Sequence, residues 1–249
     1  MHLNLSGVRS NSLPGRLLRL PLALLPADTT VAILQGPLRG ARWVIGSSTH
    51  GCWLGSYEYE KQRIFSELVR PGQVVWDVGA NVGFYTLLAS RLVGPTGRVV
   101  AFEPLPGNVT LLRRHIQINF LRNVAVVEAA VADRLGEGSF KAGENSSTGS
   151  LSDQQDGFRV RLVTLDSLIA DNALPLPNLI KMDIEGGEVT AILGASKLLS
   201  SQRPILLLAT HGAELHAACV KHLKDYGYSV EGLGGRDLQE TDELFARPR

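Results

Sequence analysis

The fold class follows from the stretch VVWDVGANVGFYTLLASRLV, Val74 to Val93. Its first five residues, Val74 to Val78, are mostly apolar and β-branched and predict a buried strand, and the residues after Gly83 have the spacing of a helix. The turn DVGANVG, Asp77 to Gly83, joins the two. Open α/β sheets bind ligands at such turns, where the carboxyl ends of strands meet helix N-termini. We therefore predict an α/β fold with a ligand site at this turn.

Outward from this stretch, apolar strand-like runs alternate with segments of helical period, which is typical of a parallel sheet covered on both faces. Further strands are predicted at Arg98 to Glu103, Val124 to Val131, Leu179 to Ile184, Pro204 to Thr210 and Tyr228 to Leu233. Helices are predicted near 83–93, 107–119, 186–200 and 213–226. The expected architecture is a Rossmann-like fold, with a mostly parallel central sheet of about seven strands and helices on both faces.

Two segments depart from this alternation. Upstream, VAILQGPLRGARWVIG (Val31 to Gly46) predicts an antiparallel hairpin, followed by a helix from about Tyr57 to Val69. Between Val131 and Asn178, a glycine- and serine-rich stretch predicts an inserted hairpin and loop. We divide the chain into an N-terminal extension of helix, hairpin and helix, which packs on the core (1–72), a Rossmann-like domain (73–235) and a C-terminal tail (236–249).

Composition excludes several function classes. The 249 residues carry 25 Lys and Arg against 24 Asp and Glu, a formal charge of +1, so we expect no nucleic-acid partner. The two cysteines, Cys52 and Cys219, lack the spacing of a disulfide framework or a zinc site, which favours a cytoplasmic location. No transmembrane segment is expected. Arg16 to Asp28 places arginines before an apolar run, which permits weak membrane-surface association. The oligomeric state is not indicated.

The turn argues for a particular cofactor. A dinucleotide fingerprint needs glycine at positions 79, 81 and 84, and this chain has Gly79, Asn81 and Phe84. Asp77 repels phosphate and favours an ammonium group, while the N–H groups of the helix start can receive a carboxylate. Glu103 ends the second strand, where it can accept hydrogen bonds from ribose hydroxyls. Together these features favour S-adenosylmethionine; the alternative is that the acids simply cap an ordinary sheet.

Candidate catalytic side chains lie at two further strand ends. Asp183 and Glu185 lie at the end of the fourth predicted strand and His211 lies at the end of the fifth. A neutral imidazole of His211 near neutral pH can take a hydroxyl proton, and Asp183 can orient it or act instead. The alternatives are helix-dipole pairing for Glu185 and Glu188, and a hydrogen bond to a backbone carbonyl for His211. Magnesium is a possible cofactor by ligand type, but the spacing is not diagnostic, and no metal ligand is assigned.

The chain resembles the FkbM-family methyltransferases. The resemblance rests on WDVGANVGFYT (Trp76 to Thr86), AFEP (Ala101 to Pro104), LLRRHIQIN (Leu111 to Asn119), EAAVAD (Glu128 to Asp133), TLDSL (Thr164 to Leu168) and KMDIEGGE (Lys181 to Glu188). It implies that the methionine end of S-adenosylmethionine is lined by Asp77, Gly79, Asn81 and Gly83, that Glu103 takes the ribose, and that Ala132 and Asp133 lie near the adenine. Many relatives end the fifth strand with a glutamate, where this chain has Ala209 to Gly212, so an acceptor contact there does not carry over.

The sequence thus predicts an S-adenosylmethionine-dependent methyltransferase of a hydroxyl on a sugar, a glycan or a secondary metabolite. The alternatives are a non-catalytic adenosyl-cofactor-binding module and a nicotinamide-dependent oxidoreductase. The polar loop Gly143 to Gly157 is a candidate for acceptor recognition, with a disordered connector as the alternative. His115, His216 and His222 are expected to face solvent from helices.

Overall fold

The computed structural model describes residues 26–142, 149–152, 158–170 and 174–249, and every structural statement below concerns these residues. The N-terminal extension contains an antiparallel hairpin of β1 (Thr30–Ala32) and β2 (Arg42–Val44), as predicted. It continues with helices α1 (His50–Leu54) and α2 (Tyr59–Leu68). The helix expected before the hairpin lies outside the described residues. Within the described ranges, no helix is long and apolar enough to cross a membrane.

Strands and helices then alternate along the rest of the chain. In order they are β3 (Val74–Val78), α3 (Phe84–Val93), β4 (Arg98–Phe102), α4 (Pro106–Ile118), β5 (Val124–Val127), β6 (Ala130–Val131), β7 (Gly136–Ala142), β8 (Gly149–Ser152), β9 (Phe158–Val163), α5 (Leu165–Ala170), β10 (Leu179–Met182), α6 (Glu188–Leu193), α7 (Ser196–Ser201), β11 (Ile205–Ala209), α8 (Ala213–Asp225), β12 (Tyr228–Gly232) and β13 (Glu243–Pro248).

The central sheet has seven strands in the order β12-β13-β11-β10-β3-β4-β5. Neighbours from β11 to β5 pair in parallel, whereas β13 pairs antiparallel with both β11 and β12. The predicted α/β class with a mostly parallel sheet is confirmed. The segment that we predicted as a tail, 236–249, instead supplies β13, an internal strand of the sheet. The rest of the predicted domain division stays a prediction.

Alternate residues of each strand point to opposite sides of the sheet, so both faces carry apolar side chains. Helices cover both faces. On one side, Trp76 and Val100 belong to a buried cluster with residues of α6, α7 and α8. On the other side, Val75 and Val99 pack with α3 and with Trp43 of the hairpin. The extension therefore contributes to the core of the sheet domain.

Two predicted elements are each divided in the structure. Val124 to Val131 was predicted as one strand, but a tight turn, in which the Ala129 N–H donates to the Val127 carbonyl at 3.0 Å, separates β5 from β6. The second strand, β6, joins a smaller four-stranded sheet of order β6-β9-β7-β8, which contains the predicted inserted hairpin. The predicted helix 186–200 is divided at Gly194, and Asp166 caps the second part by accepting bonds from the N–H groups of Lys197 and Leu198, each at 2.9 Å.

Candidate functional site

A cavity of about 270 Å³ lies at the carboxyl ends of β3, β4 and β10, at the predicted turn. Of the predicted site residues, Gly79, Asn81, Glu103, Asp183 and Glu185 line it. Apolar groups complete the wall, among them Leu105, Ala130, Val131 and Ile184, and the extension contributes Cys52 and Tyr57. The cavity thus combines a polar edge formed by strand ends with an apolar surface.

Gly79 allows the ends of β3 and β10 to approach each other. Its φ is +79°, and a Cβ at this position would lie 1.9 Å from the carbonyl oxygen of Asp183. Asn81, at the position of a second fingerprint glycine, has φ +51°, and its Oδ1 accepts a bond from the Val82 N–H at 2.7 Å. Gly83 packs on α4, because a Cβ added at Gly83 would lie 2.5 Å from a Leu112 methyl carbon. Gly83 does not line the cavity.

Glu103 is the buried carboxylate of the cavity, 4% exposed. Its two oxygens accept bonds from the Asn81 N–H at 2.8 Å, the Leu105 N–H at 3.0 Å and the Asn108 amide at 3.1 Å. Burial raises the pKa of Glu103, although these hydrogen bonds oppose the shift. The side chain is therefore fixed between the turn after β3 and the start of α4.

Asp77 lies beneath the turn and is not a lining residue. It is 1% exposed, accepts a bond from the Thr86 hydroxyl at 2.6 Å, and lies 3.4 Å from the Lys181 ammonium, opposite it in the strand register. Lys181 in turn donates to the Gly79 carbonyl at 3.1 Å. Burial raises the pKa of Asp77, and Lys181 opposes the shift. These contacts tie Asp77 to the support of the turn.

The structure brings the three predicted catalytic side chains together. His211 Nε2 lies 3.7 Å from Asp183 and 3.5 Å from Glu185, and its Nδ1–H donates to the Glu188 carboxylate at 2.8 Å. Glu188 is completely buried, whereas the His211 side chain is 33% exposed. The hydrogen bond to Glu188 and the nearby carboxylates raise the pKa of His211 to about 9. The imidazole is therefore charged at neutral pH, contrary to the neutral form that we expected.

Asp183 connects this group to the cavity. Its side chain is 25% exposed and belongs to the cavity wall, whereas His211 is not a lining residue. Burial alone would raise the pKa of Asp183, but the charges of Lys181, Lys61 and His211 outweigh it and lower the pKa. Asp183 is therefore an ionised carboxylate that faces the cavity.

The donor atoms of Asp183, Glu185 and His211 all lie within 4.8 Å of one another. This spacing is compatible with a divalent cation. In the structure the same three side chains also interact with one another, since His211 Nε2 lies 3.7 Å from Asp183 and 3.5 Å from Glu185. We assign no metal ligand.

Ala132 and Asp133, which we predicted near the adenine, do not line the cavity. The Ala132 carbonyl packs against Gly194, since a Cβ added at Gly194 would lie 2.0 Å from the carbonyl oxygen. Asp133 pairs with Arg134 at 3.3 Å. The preceding residues, Ala130 and Val131, do line it. Of the predicted acceptor loop, residues 143–148 and 153–157 lie outside the described part of the chain, and 149–152 form β8.

The expectation that His115 faces solvent is wrong. His115 is fully buried and stacks on Trp43, with ring centroids 3.9 Å apart. Its Nδ1–H donates to the Val82 carbonyl at 2.7 Å, and its Nε2 accepts from the Val44 N–H at 3.1 Å. Burial lowers the pKa of His115 to about 4, so the ring is neutral. This histidine links the hairpin to the turn after β3.

Sequence reasoning missed a second group of charged residues at the site. Lys61 of α2 lies 2.6 Å from Glu243, 3.5 Å from Glu58 and 3.7 Å from Asp183. Lys61 and Glu243 lie outside the motifs that pointed to the site, so no local motif identifies them. One indication was available, since Lys61 and Phe65 share one face of a helix and a lysine within an apolar stripe is unusual.

A parallel sheet with carboxylates at successive strand ends and a cavity above them defines the class of a cofactor-binding α/β domain. The model of the Methyltransferase FkbM domain matches residues 77–230. The chain belongs to the FkbM methyltransferase family, as the sequence motifs predicted.

The chain is similar to two curated relatives and to one solved structure. The chain is 25% identical over 161 residues to the hexuronic acid methyltransferase AglP of Haloferax volcanii, a match that covers 64% of this chain and 63% of that protein, less than two thirds of its length. It is 27% identical to the 31-O-demethyl-FK506 methyltransferase FkbM of Streptomyces tacrolimicus, over 72% of this chain and 78% of that protein. The crystal structure of an FkbM methyltransferase from Methylobacillus flagellatus superposes with a TM-score of 0.50 at 18% identity, over 80% of this chain and 53% of the other. The last likeness concerns the fold alone.

Proposed function

We propose that the chain is an S-adenosylmethionine-dependent methyltransferase that methylates a hydroxyl group of a sugar, a glycan or a secondary metabolite. The observation that carries the proposal is that Glu103 and Asp183 face one cavity at the carboxyl edge of the sheet. Family membership supports it, and both relatives above are named as methyltransferases, one of hexuronic acid and one of 31-O-demethyl-FK506.

The cavity suits the proposed cofactor in its charge and polarity. Glu103 presents a carboxylate for the ribose hydroxyls, and the apolar side chains of Leu105, Ala130 and Val131 offer a surface for the adenine. When bound, S-adenosylmethionine supplies a methyl group on a positively charged sulfur. The carboxylates of Asp183 and Glu185 at the same wall favour a cationic group there. Phosphate groups would meet these same carboxylates, which argues against a nicotinamide dinucleotide.

Asp183 is the residue placed to act on the acceptor. Its ionised carboxylate can accept a hydrogen bond from the acceptor hydroxyl and align the oxygen for in-line attack. The cofactor would supply the methyl group for this attack, and the Asp183 carboxylate would take up the proton that the acceptor hydroxyl loses. A carboxylate of low pKa suffices, because the hydroxyl becomes strongly acidic as its oxygen is alkylated. The charged His211 approaches Oδ1 of Asp183, whereas Lys61 and Lys181 approach Oδ2, so the carboxylate is held from two sides.

Transfer of a labelled methyl group tests this proposal. The full chain is incubated with S-adenosylmethionine labelled in the methyl group and with hexuronic acids, neutral sugars, glycans or hydroxylated metabolites, with and without magnesium. We expect label on a hydroxyl oxygen of one acceptor class, and a loss of about 100-fold in rate for Asp183→Asn. The matched control is Asp225→Asn, since Asp225 is exposed and pairs only with Lys221 among the contacts described.

The other outcomes are equally informative. Cofactor binding without transfer to any acceptor would favour the non-catalytic binding module over an enzyme. Label on nitrogen, or on a carboxylate as an ester, would contradict methylation of a hydroxyl. Loss of transfer in the presence of a chelator would show that a metal completes the group of Asp183, Glu185 and His211.

A further inference from the structure

Lys61 is a buried lysine that reaches the site from outside the matched family domain. Its side chain is 6% exposed, although it belongs to α2 of the N-terminal extension. A buried ammonium is costly unless it is paired, and Lys61 is paired with three carboxylates, those of Glu243, Glu58 and Asp183. The first two lie, like Lys61, outside residues 77–230.

Two of these partners are themselves held in place. Glu58, at the start of α2, has φ +42°, a left-handed conformation that costs a non-glycine residue free energy. Its carboxylate accepts a bond from the Tyr85 hydroxyl at 2.9 Å, which fixes it beside Lys61. Glu243 begins β13 and accepts the 2.6 Å bond from Lys61. Residues on both sides of the matched family domain therefore determine the position of the Lys61 ammonium.

Tyr85 completes the arrangement. The Lys61 ammonium lies 5.7 Å from the centre of its ring and the Lys181 ammonium 5.4 Å, so the ring lies beside both lysines that face Asp183. Asp183 lies 3.7 Å from Lys61 and 4.0 Å from Lys181. Lys181 is already engaged by Asp77 and the Gly79 carbonyl. Lys61 is thus the nearer of the two lysines to the carboxylate that faces the cavity.

We propose that Lys61 is a positioning residue, whose ammonium holds the Asp183 carboxylate ionised and directed into the cavity. The extension and β13 then have a role in the site, because they carry Lys61, Glu58 and Glu243 to it. What Asp183 does for the acceptor rests on the proposed function; the effect of Lys61 on Asp183 does not. The groups closest to Asp183 across this site are Lys61, Lys181, His211 and Glu185. Asp77, Glu243 and Tyr57 also interact with its charge.

The test compares Lys61→Met with Lys61→Arg in the full chain. Carbon-13 NMR of labelled aspartate, assigned with Asp183→Asn, follows the titration of the Asp183 carboxyl. We expect its pKa to rise in Lys61→Met and to stay near the wild-type value in Lys61→Arg, because arginine keeps the charge. An unchanged titration in Lys61→Met would overturn the proposal. Lys221→Met, which removes an exposed lysine paired with Asp225, is the matched control and should leave Asp183 unaffected.

Two further measurements keep the outcome clear. Since Lys61→Met leaves Glu243 without its nearest cation, the variant Lys61→Met/Glu243→Gln removes the Glu243 charge as well. We expect the pKa of Asp183 to rise in this double variant as it does in Lys61→Met.

Calorimetric titration of Lys61→Met with S-adenosylmethionine should give an affinity within about 3-fold of wild type, while kcat with an acceptor from the screen falls by about 10-fold or more. A loss of cofactor affinity with kcat preserved would overturn the proposal. If the wild-type chain binds no S-adenosylmethionine, the proposed function fails, and the NMR titration still decides the role of Lys61.

Discussion

Glu188 is a completely buried carboxylate, and its hydrogen-bond partner His211 is one-third exposed. One Glu188 oxygen accepts bonds from both His211 and the Gly186 N–H, the latter at 3.0 Å. A buried carboxylate needs a compensating charge, and His211 supplies it while it is protonated. The stability of the fold is therefore linked to the protonation of one side chain at the site.

This linkage predicts a pH dependence with a definite sign. The pKa of His211 is about 9 in the folded chain, against an ordinary value of 6.5, so the folded chain holds the proton more tightly. The stabilisation is present in full below about pH 6.5 and is lost as the pH rises to about 9. We expect the urea midpoint of wild type to exceed that of His211→Gln at pH 6 and the gap to close above pH 9. A gap that is independent of pH would rule the linkage out, and His222→Gln serves as the control histidine.

The sequence identifies some residues of the site and misses others for a physical reason. Glu103 and Asp183 directly follow buried strands, and the edge of a parallel sheet gathers such residues in one place. Lys61 and Glu243 are 182 positions apart and meet only after the whole domain has folded, so no local pattern pairs them. The charge state of His211 was likewise missed, because it depends on Glu188 one strand away.

At the scale of elements, the approach of β3 to β10 depends on a glycine. A side chain at Gly79 would meet the carbonyl of Asp183, and the φ of +79° disfavours any other residue. We expect Gly79→Ala to destabilise the fold by more than the 1–2 kcal/mol or so that a left-handed conformation costs alone, measured by urea unfolding. Gly40→Ala is the matched control, because Gly40 also has a positive φ, +85°, and nothing lies within 4 Å of its Cβ position. Equal effects of the two substitutions would contradict the close approach.

Element prediction succeeded where local periodicity and packing agree. The strand Val74–Val78 appears with the predicted bounds, and helix α3 starts one residue after the predicted start. It failed where the break is set by tertiary contacts, as at Gly194, whose lack of a Cβ lets the Ala132 carbonyl approach. Similarly, the residues after Val127 leave the central sheet to pair with β9, which lies 30 or more residues later.

At the scale of the whole molecule, the last strand is part of the core. Ala246 is completely buried, with Leu206 on one side and Val230 on the other, whereas the next residue, Arg247, is exposed. We expect Ala246→Asp to lower the unfolding midpoint sharply, because it buries an unpaired carboxylate, and Arg247→Asp to have a small effect. Equal small effects in thermal unfolding would mean that the segment is a peripheral tail after all.

Isothermal titration of the full chain with S-adenosylmethionine and S-adenosylhomocysteine, with NAD and NADP as controls, tests whether the strand-end cavity binds the proposed cofactor through Glu103. We expect binding of the first pair alone, and a loss of about 10-fold or more in affinity for Glu103→Gln, which removes the charge from the carboxylate at nearly constant shape. Binding of NAD in preference to S-adenosylmethionine, or full affinity in Glu103→Gln, would contradict it.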